Sequence, residues 1–258
     1  MRPLAVDGGR PVSVFEAGQG DGIVFLPMMA ELNFVYAPQI EEFASDHRVV
    51  LWNPRLSTRL RVGIADRAQE ALAVMNALGL SSVHIIVWGD TGSAAYYLAK
   101  HWPERCKSLV FIGLADRYRL PQPYQLLLQM LRFAPVEDLV PSVLLAWLLG
   151  RFVGGTAVKR RWFVERAHAI PRLARVFKYG ILPNLVEHQP RLGEVLTPCL
   201  VIGGDDDKVV SASQTTRMAG LMPNSRAIII KGGEHFLNYV DAPRINQLIR
   251  GFYASLAS

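Results

Sequence analysis

The segment Val83-His84-Ile85-Ile86-Val87-Trp88 is apolar along nearly its whole length and runs directly into Gly89-Asp90-Thr91-Gly92-Ser93. A strand with no solvent face must be covered from both sides, as inner strands of parallel sheets are. The glycines that follow suit a sharp turn, and the pattern then predicts a helix to His101. Further strands are predicted over 11–18, 22–27, 48–52, 107–113, 199–204 and 226–230. Helices are predicted over 38–44, 64–78, 211–221 and 244–256, with Gly79 as the C-cap of the second. Strands alternating with helices of these lengths imply an α/β fold: a mostly parallel sheet flanked by helices on both faces. A chain of 258 residues, half of them hydrophobic, is long enough to bury one substantial core.

From about Arg117 to Pro190 the strand pattern stops. Helical stretches are predicted from Tyr124 to Phe133, Val143 to Phe152 and Lys159 to Val176, broken by Pro135, Gly154-Gly155 and Pro171. The organisation expected is therefore a core of residues 1–116 and 191–258 with a helical cap, or lid, over 117–190. The net charge of +6 sits in this stretch, since residues 116–190 hold eleven Lys and Arg against five Asp and Glu. A solvated helix face explains such an excess. It also suits an anionic partner such as an acidic carrier protein, a phosphorylated substrate or a lipid headgroup.

Several motifs fall at the ends of the predicted strands. Asn53-Pro54-Arg55-Leu56-Ser57-Thr58-Arg59 follows the third long strand, and His101-Trp102-Pro103-Glu104-Arg105 closes the helix after the glycine turn. Gly204-Asp205-Asp206-Asp207 and Gly232-Gly233-Glu234-His235-Phe236 are separated by one strand–helix–strand unit. Taken together these segments resemble the α/β-hydrolase superfamily over nearly the whole chain, most weakly in the cap. The resemblance implies the α/β-hydrolase fold, with Asp207 delivering the acid and His235 the histidine of a catalytic triad. An Asp207–His235 hydrogen bond would fix the imidazole tautomer and support a positive charge on the ring. The plain alternatives are an Asp-rich turn accepting backbone N–H bonds and an exposed loop histidine.

The nucleophile is where the chain departs from the family. The elbow pattern Gly-x-Ser-x-Gly corresponds to Val87-Trp88-Gly89-Asp90-Thr91, which puts Gly89 at the serine position without a gap and places Ala95 and Ala99 where small residues let the helix approach the sheet. Shifting by one residue puts Asp90 there and resembles the aspartate elbow of haloalkane dehalogenases and epoxide hydrolases, at the cost of an insertion and a deletion. The loop that usually begins His-Gly reads Pro27-Met28-Met29, and Leu56 and Thr58 stand where glycines are usual. Met28 and Asp90 remain able to supply the two N–H groups of an oxyanion hole, with Pro27, Met29 and Trp88 beside them in the pocket. Glycine forms no covalent intermediate.

Three readings follow. His235, held by Asp207, acts as general base or acid on a bulky apolar acyl or polyketide-like molecule, as a lyase, a cyclase or a hydrolase working without a covalent intermediate; the absent serine leaves room above Gly89 for that substrate. The protein is instead a non-catalytic small-molecule binder. Or Asp90 is the nucleophile of an ester, epoxide or haloalkane hydrolase. An acidic carrier at the basic cap is a further expectation. No metal, nicotinamide, flavin or other cofactor is expected, and no nucleic-acid module. The N-terminus lacks the apolar stretch of a signal peptide, and the apolar run Val140–Leu149 is short of the roughly 20 residues of a spanning helix. Cys106 and Cys199 have no metal or disulfide spacing. A cytoplasmic protein is expected.

Overall fold

The computed structural model describes residues 1–7, 11–55, 60–116, 122–133, 137–153, 157–168, 170, 172–183 and 192–256. The expectations for Leu56 and Thr58, and for the breaks at Pro135, Gly154-Gly155 and Pro171, lie outside these residues. Eight strands form one sheet: β1 (Arg2–Leu4), β2 (Val12–Ala17), β3 (Asp21–Leu26), β4 (His47–Trp52), β5 (Val83–Trp88), β6 (Cys106–Ile112), β7 (Cys199–Gly204) and β8 (Ser225–Ile230). Their spatial order is β1-β2-β4-β3-β5-β6-β7-β8. The β1–β2 and β2–β4 pairs are antiparallel, and β4, β3, β5, β6, β7 and β8 run parallel to one another.

The burial of β5 follows from its composition. All six of its residues are buried, and it lies between β3 and β6. Its side chains divide between two apolar layers. Val83, Ile85 and Val87 point to one, with Ala68, Ala71, Met75, Ala95 and Leu98. Ile86 and Trp88 point to the other, with Phe25, Val110, Ile202, Phe236 and Ile249. The first layer is covered by α2 (Ile64–Ala77) and α3 (Gly92–His101), and α8 (Ala212–Gly220) follows β7. The second is covered by α1 (Ala37–Phe43) and the C-terminal α10 (Ala242–Leu256), which contributes Ile245, Ile249 and Phe252.

Between β6 and β7 the described residues hold helices and no strand: α4 (Gln122–Phe133), α5 (Ser142–Val153), α6 (Ala157–His168) and α7 (Leu173–Val176), the last continuing into a π-helical turn over Phe177–Ile181. This insert packs Leu145, Ala146, Ile170, Leu173 and Phe177 into the same apolar layer as Met29, Trp88 and Phe236. It is also bonded to the core through the backbone, Val62 N–H donating to the Tyr179 carbonyl at 2.8 Å. Short elements without a counterpart in the sequence reading include β1, the 3-10 turns Ala30–Tyr36, Pro103–Arg105 and Leu192–Glu194, and α9 (Leu237–Val240). Each is too short for a hydrophobic period to register.

Candidate active site

The site lies where β5, β6, β7 and β8 end. Trp88 closes β5 with extended dihedrals, and Gly89 then takes φ +67, a left-handed conformation that only glycine adopts without cost. Gly89-Asp90-Thr91 form one 3-10 turn before α3 begins. Gly89 therefore occupies the apex of the strand–turn–helix, and Asp90 lies one step into the turn. The space above Gly89 is not vacant, contrary to the expectation from the missing serine. A Cβ added there would lie 3.0 Å from the Met28 methyl carbon Cε. The long thioether of Met28 reaches across from the end of β3 and fills the volume, as an unbranched, adaptable side chain can.

The loops after β7 and β8 are pressed together. Asp206 N–H donates to the Gly233 carbonyl at 3.0 Å, and Gly232 N–H donates to the Asp205 carboxylate at 2.6 Å. A Cβ on Gly204 would sit 1.9 Å from the Gly233 oxygen, so the approach requires glycine. This contact sets Asp207 opposite His235, whose Nδ1 lies 2.9 Å from Asp207 Oδ2. The second carboxylate oxygen accepts from the Val209 and Val210 amides at 2.7 and 3.0 Å. Burial works against charge on Asp207, but the His235 ring and these donors outweigh it and hold the carboxyl below its usual range. Among the described residues, Asp205 and Asp206 serve the loop instead, Asp206 pairing with Lys208.

Three groups that the sequence reading did not single out for this work fix the imidazole and the turn. Trp88 was expected only as a pocket residue, yet its indole Nε1–H donates to the His235 carbonyl at 2.8 Å and its ring lies 5.1 Å from the imidazole. Gly113, at the end of β6, has φ +61, and a Cβ on it would come within 3.3 Å of His235 Nδ1. Arg67, on α2, is buried and gathers the rest of the site. Its guanidinium donates to the Pro27 and Met28 carbonyls at 3.3 Å each and to the Gly180 carbonyl of the insert at 2.6 Å, and it lies 4.0 Å from Asp90 Oδ2. The signal for Arg67 was in the sequence. It falls on the apolar stripe of α2, three residues after Ile64 and four before Ala71, where a charge requires buried partners.

The candidate residues thus fall into two groups joined by the end of β5. His235, Asp207 and Trp88 form one. Gly89, Met28, Pro27, Asp90 and Arg67 form the other, and Met29 is buried in the apolar layer that also holds Trp88. A cavity of about 310 Å³ is lined by Arg67 together with, among others, Asp7, Arg55, Asp66, Gln69 and Glu70. Neither His235 nor Asp207 lines it. Among the described residues no cluster of three His, Cys, Asp or Glu could hold a metal ion. Both thiols are pushed up to about 12, chiefly by burial, so neither supplies a thiolate.

Comparison with known proteins agrees with this architecture. A relative named as carbamate hydrolase RutD, from Caulobacter vibrioides, is 24% identical over 257 residues, covering 95% of this chain and 90% of its own. The 2-hydroxy-6-oxononadienedioate/2-hydroxy-6-oxononatrienedioate hydrolase 1 of Dechloromonas aromatica is 26% identical, covering 81% of this chain and 77% of its own. A thermophilic esterase from Thermogutta terrifontis superposes with a TM-score of 0.81 at 15% identity, over 99% of this chain and 98% of that one. A meta-cleavage product hydrolase from Pseudomonas fluorescens IP01 does so at 0.77 and 16%, over 98% and 97%. The profile of the alpha/beta hydrolase fold family matches residues 41–242, and the chain belongs to that family.

Proposed function

We propose that this protein is an enzyme of the α/β-hydrolase fold in which an Asp207–His235 dyad performs general acid–base catalysis without a covalent acyl-enzyme. The observation that carries the reading is the pairing of His235 Nδ1 with a buried, charged Asp207 beside a turn whose apex residue, Gly89, has no side chain. The carboxylate fixes the tautomer, leaving Nε2 to take or give a proton. With Nε2 as base, water is deprotonated as it adds to a substrate carbonyl; the same ring then protonates the leaving group. The Met28 and Asp90 amides supply the oxyanion donors, held in place by Arg67. The hydrolase names of the relatives favour hydrolysis, and the same proton transfers would serve a lyase or cyclase. The helical insert acts as the cap over a bulky apolar acyl or polyketide-like substrate. The Arg67–Asp90 contact gives Asp90 a positioning part and speaks against its use as a nucleophile.

The test is turnover of p-nitrophenyl acyl esters and carbamates of increasing chain length. His235→Gln and Asp207→Asn are expected to lose ~10²–10⁴-fold in kcat while retaining affinity for the product acid. In oxygen-18 water a single turnover is expected to label the product and leave the protein unlabelled. Label incorporated at Asp90 would replace this reading with the aspartate-nucleophile one. The Met28 methyl group over Gly89 favours a second reading, a binding protein without turnover. Affinity for the product acids with no cleavage of any ester or carbamate would establish it.

A further inference from the structure

Half of the large apolar side chains that the described residues leave exposed lie within one stretch of 22 residues. They are Leu126, Met130, Phe133, Leu139, Val143, Leu144 and Trp147, seven of fourteen. Isolated exposed apolar residues need no explanation, but a segment that gathers so many of them is a candidate for interaction. Their spacing is orderly. Leu126, Met130 and Phe133 stand at i, i+4 and i+7 on α4, which places them on one face of that helix. Val143, Leu144 and Trp147 share one face of α5, while Leu145 and Ala146 on its other side are buried in the core layer. The outward face of α5 is therefore not a mispatterned core face, because the core face is present and occupied.

Charge indicates the occupant. The three described acids of the insert are each engaged by a cation of the insert: Glu137 by Lys178, Asp138 by Arg175 and Glu165 by Arg161. These acids are met within the insert, whose residues 116–190 carry eleven Lys and Arg against five Asp and Glu. Arg132 lies at the edge of the α4 stripe, its guanidinium 5.0 Å above the Phe133 ring, and Arg172 is exposed. Two such faces would repel each other, which disfavours a second copy of this chain. Apolar residues fringed by arginine are what a helix needs to lie in the headgroup region of a negatively charged bilayer.

We propose that the exposed apolar stripes of α4 and α5 dock peripherally on an anionic lipid surface. The proposal is independent of the chemistry assigned to His235. No described helix is long and apolar enough to cross a membrane, so the contact is a surface one. It is tested by co-sedimenting the full chain with phosphatidylcholine vesicles containing about 30% phosphatidylglycerol, a density at which clustered basic residues are attracted. Binding is expected to weaken with salt, to vanish on pure phosphatidylcholine, and to fall about tenfold or more in the triple variant Leu126→Glu, Met130→Glu, Phe133→Glu. Leu221→Glu, an exposed apolar residue outside the insert, is expected to change nothing, and melting temperatures check that each variant folds. Absence of binding at low salt overturns the proposal, as does binding that the triple variant leaves unchanged. A dimer in light scattering that the triple variant dissociates, with no vesicle binding, assigns the face to a second copy. Retention on an immobilised acidic acyl carrier protein with no vesicle binding assigns it to a protein. Either result overturns the lipid reading.

Discussion

Gly89 and Arg67 are the two residues whose replacement tells most about the site. At φ +67 any L-residue at position 89 carries a backbone cost of about 1–2 kcal/mol, and its Cβ must displace the Met28 methyl carbon. Gly89→Ala is therefore expected to lose about that much stability in urea denaturation, and Met28→Ala made with it is expected to recover none of the backbone part. Arg67 is different because it is the shared donor for three carbonyls and the partner of Asp90. Removing one member of a buried pair leaves an uncompensated charge, worth about 3–5 kcal/mol. Arg67→Met is expected to approach that figure, and Arg67→Met with Asp90→Asn to cost less than the sum of the two single changes. A double-mutant cycle on denaturation midpoints reads the coupling; simple additivity would show that the two side chains do not interact.

At the scale of elements, β5 carries a second buried polar group at its other end. His84 lies 2.7 Å from Ser108 Oγ on β6 and stacks on Tyr253 of α10 at 4.3 Å. Burial pushes its pKa down to about 4, helped by Lys107 and opposed by Asp21. The folded state thus disfavours the proton that the unfolded chain accepts near pH 6.5. Stability is full above that pH and declines as pH falls from 6.5 toward 4, by about 2 kcal/mol. Asp207, with its lowered pKa, loses stability in the same direction at lower pH. His84→Gln separates the two: it is expected to flatten the stability profile between pH 6.5 and 5 and leave the more acidic limb. The elements themselves were legible where the hydrophobic period is long. The helix predicted over 64–78 is observed at Ile64–Ala77, and the strand predicted over 199–204 at Cys199–Gly204. The third predicted cap stretch, 159–176, for which Pro171 marked an expected break, holds two helices, α6 and α7, with Arg172 in a left-handed conformation before the second.

For the whole molecule, the mostly parallel sheet followed from strand composition, because residues with no polar face leave few architectures open. The Asp207–His235 contact was legible because each side chain carries its own chemistry. Trp88 and Gly113 act through geometry, one by donating to a carbonyl and the other by lacking a Cβ, and no local pattern announces either. The helical insert and the sheet share an apolar layer and are joined by the Tyr179 and Gly180 carbonyls. The two are therefore expected to melt in a single calorimetric transition, with equal van't Hoff and calorimetric enthalpies; two resolved transitions would show that the insert folds apart. The bare apex at Gly89 has a kinetic consequence for the proposed cycle. With no side chain there to retain half of a cleaved substrate, both products appear on one time course, without a pre-steady-state burst, and added alcohols have no parked acyl group to intercept.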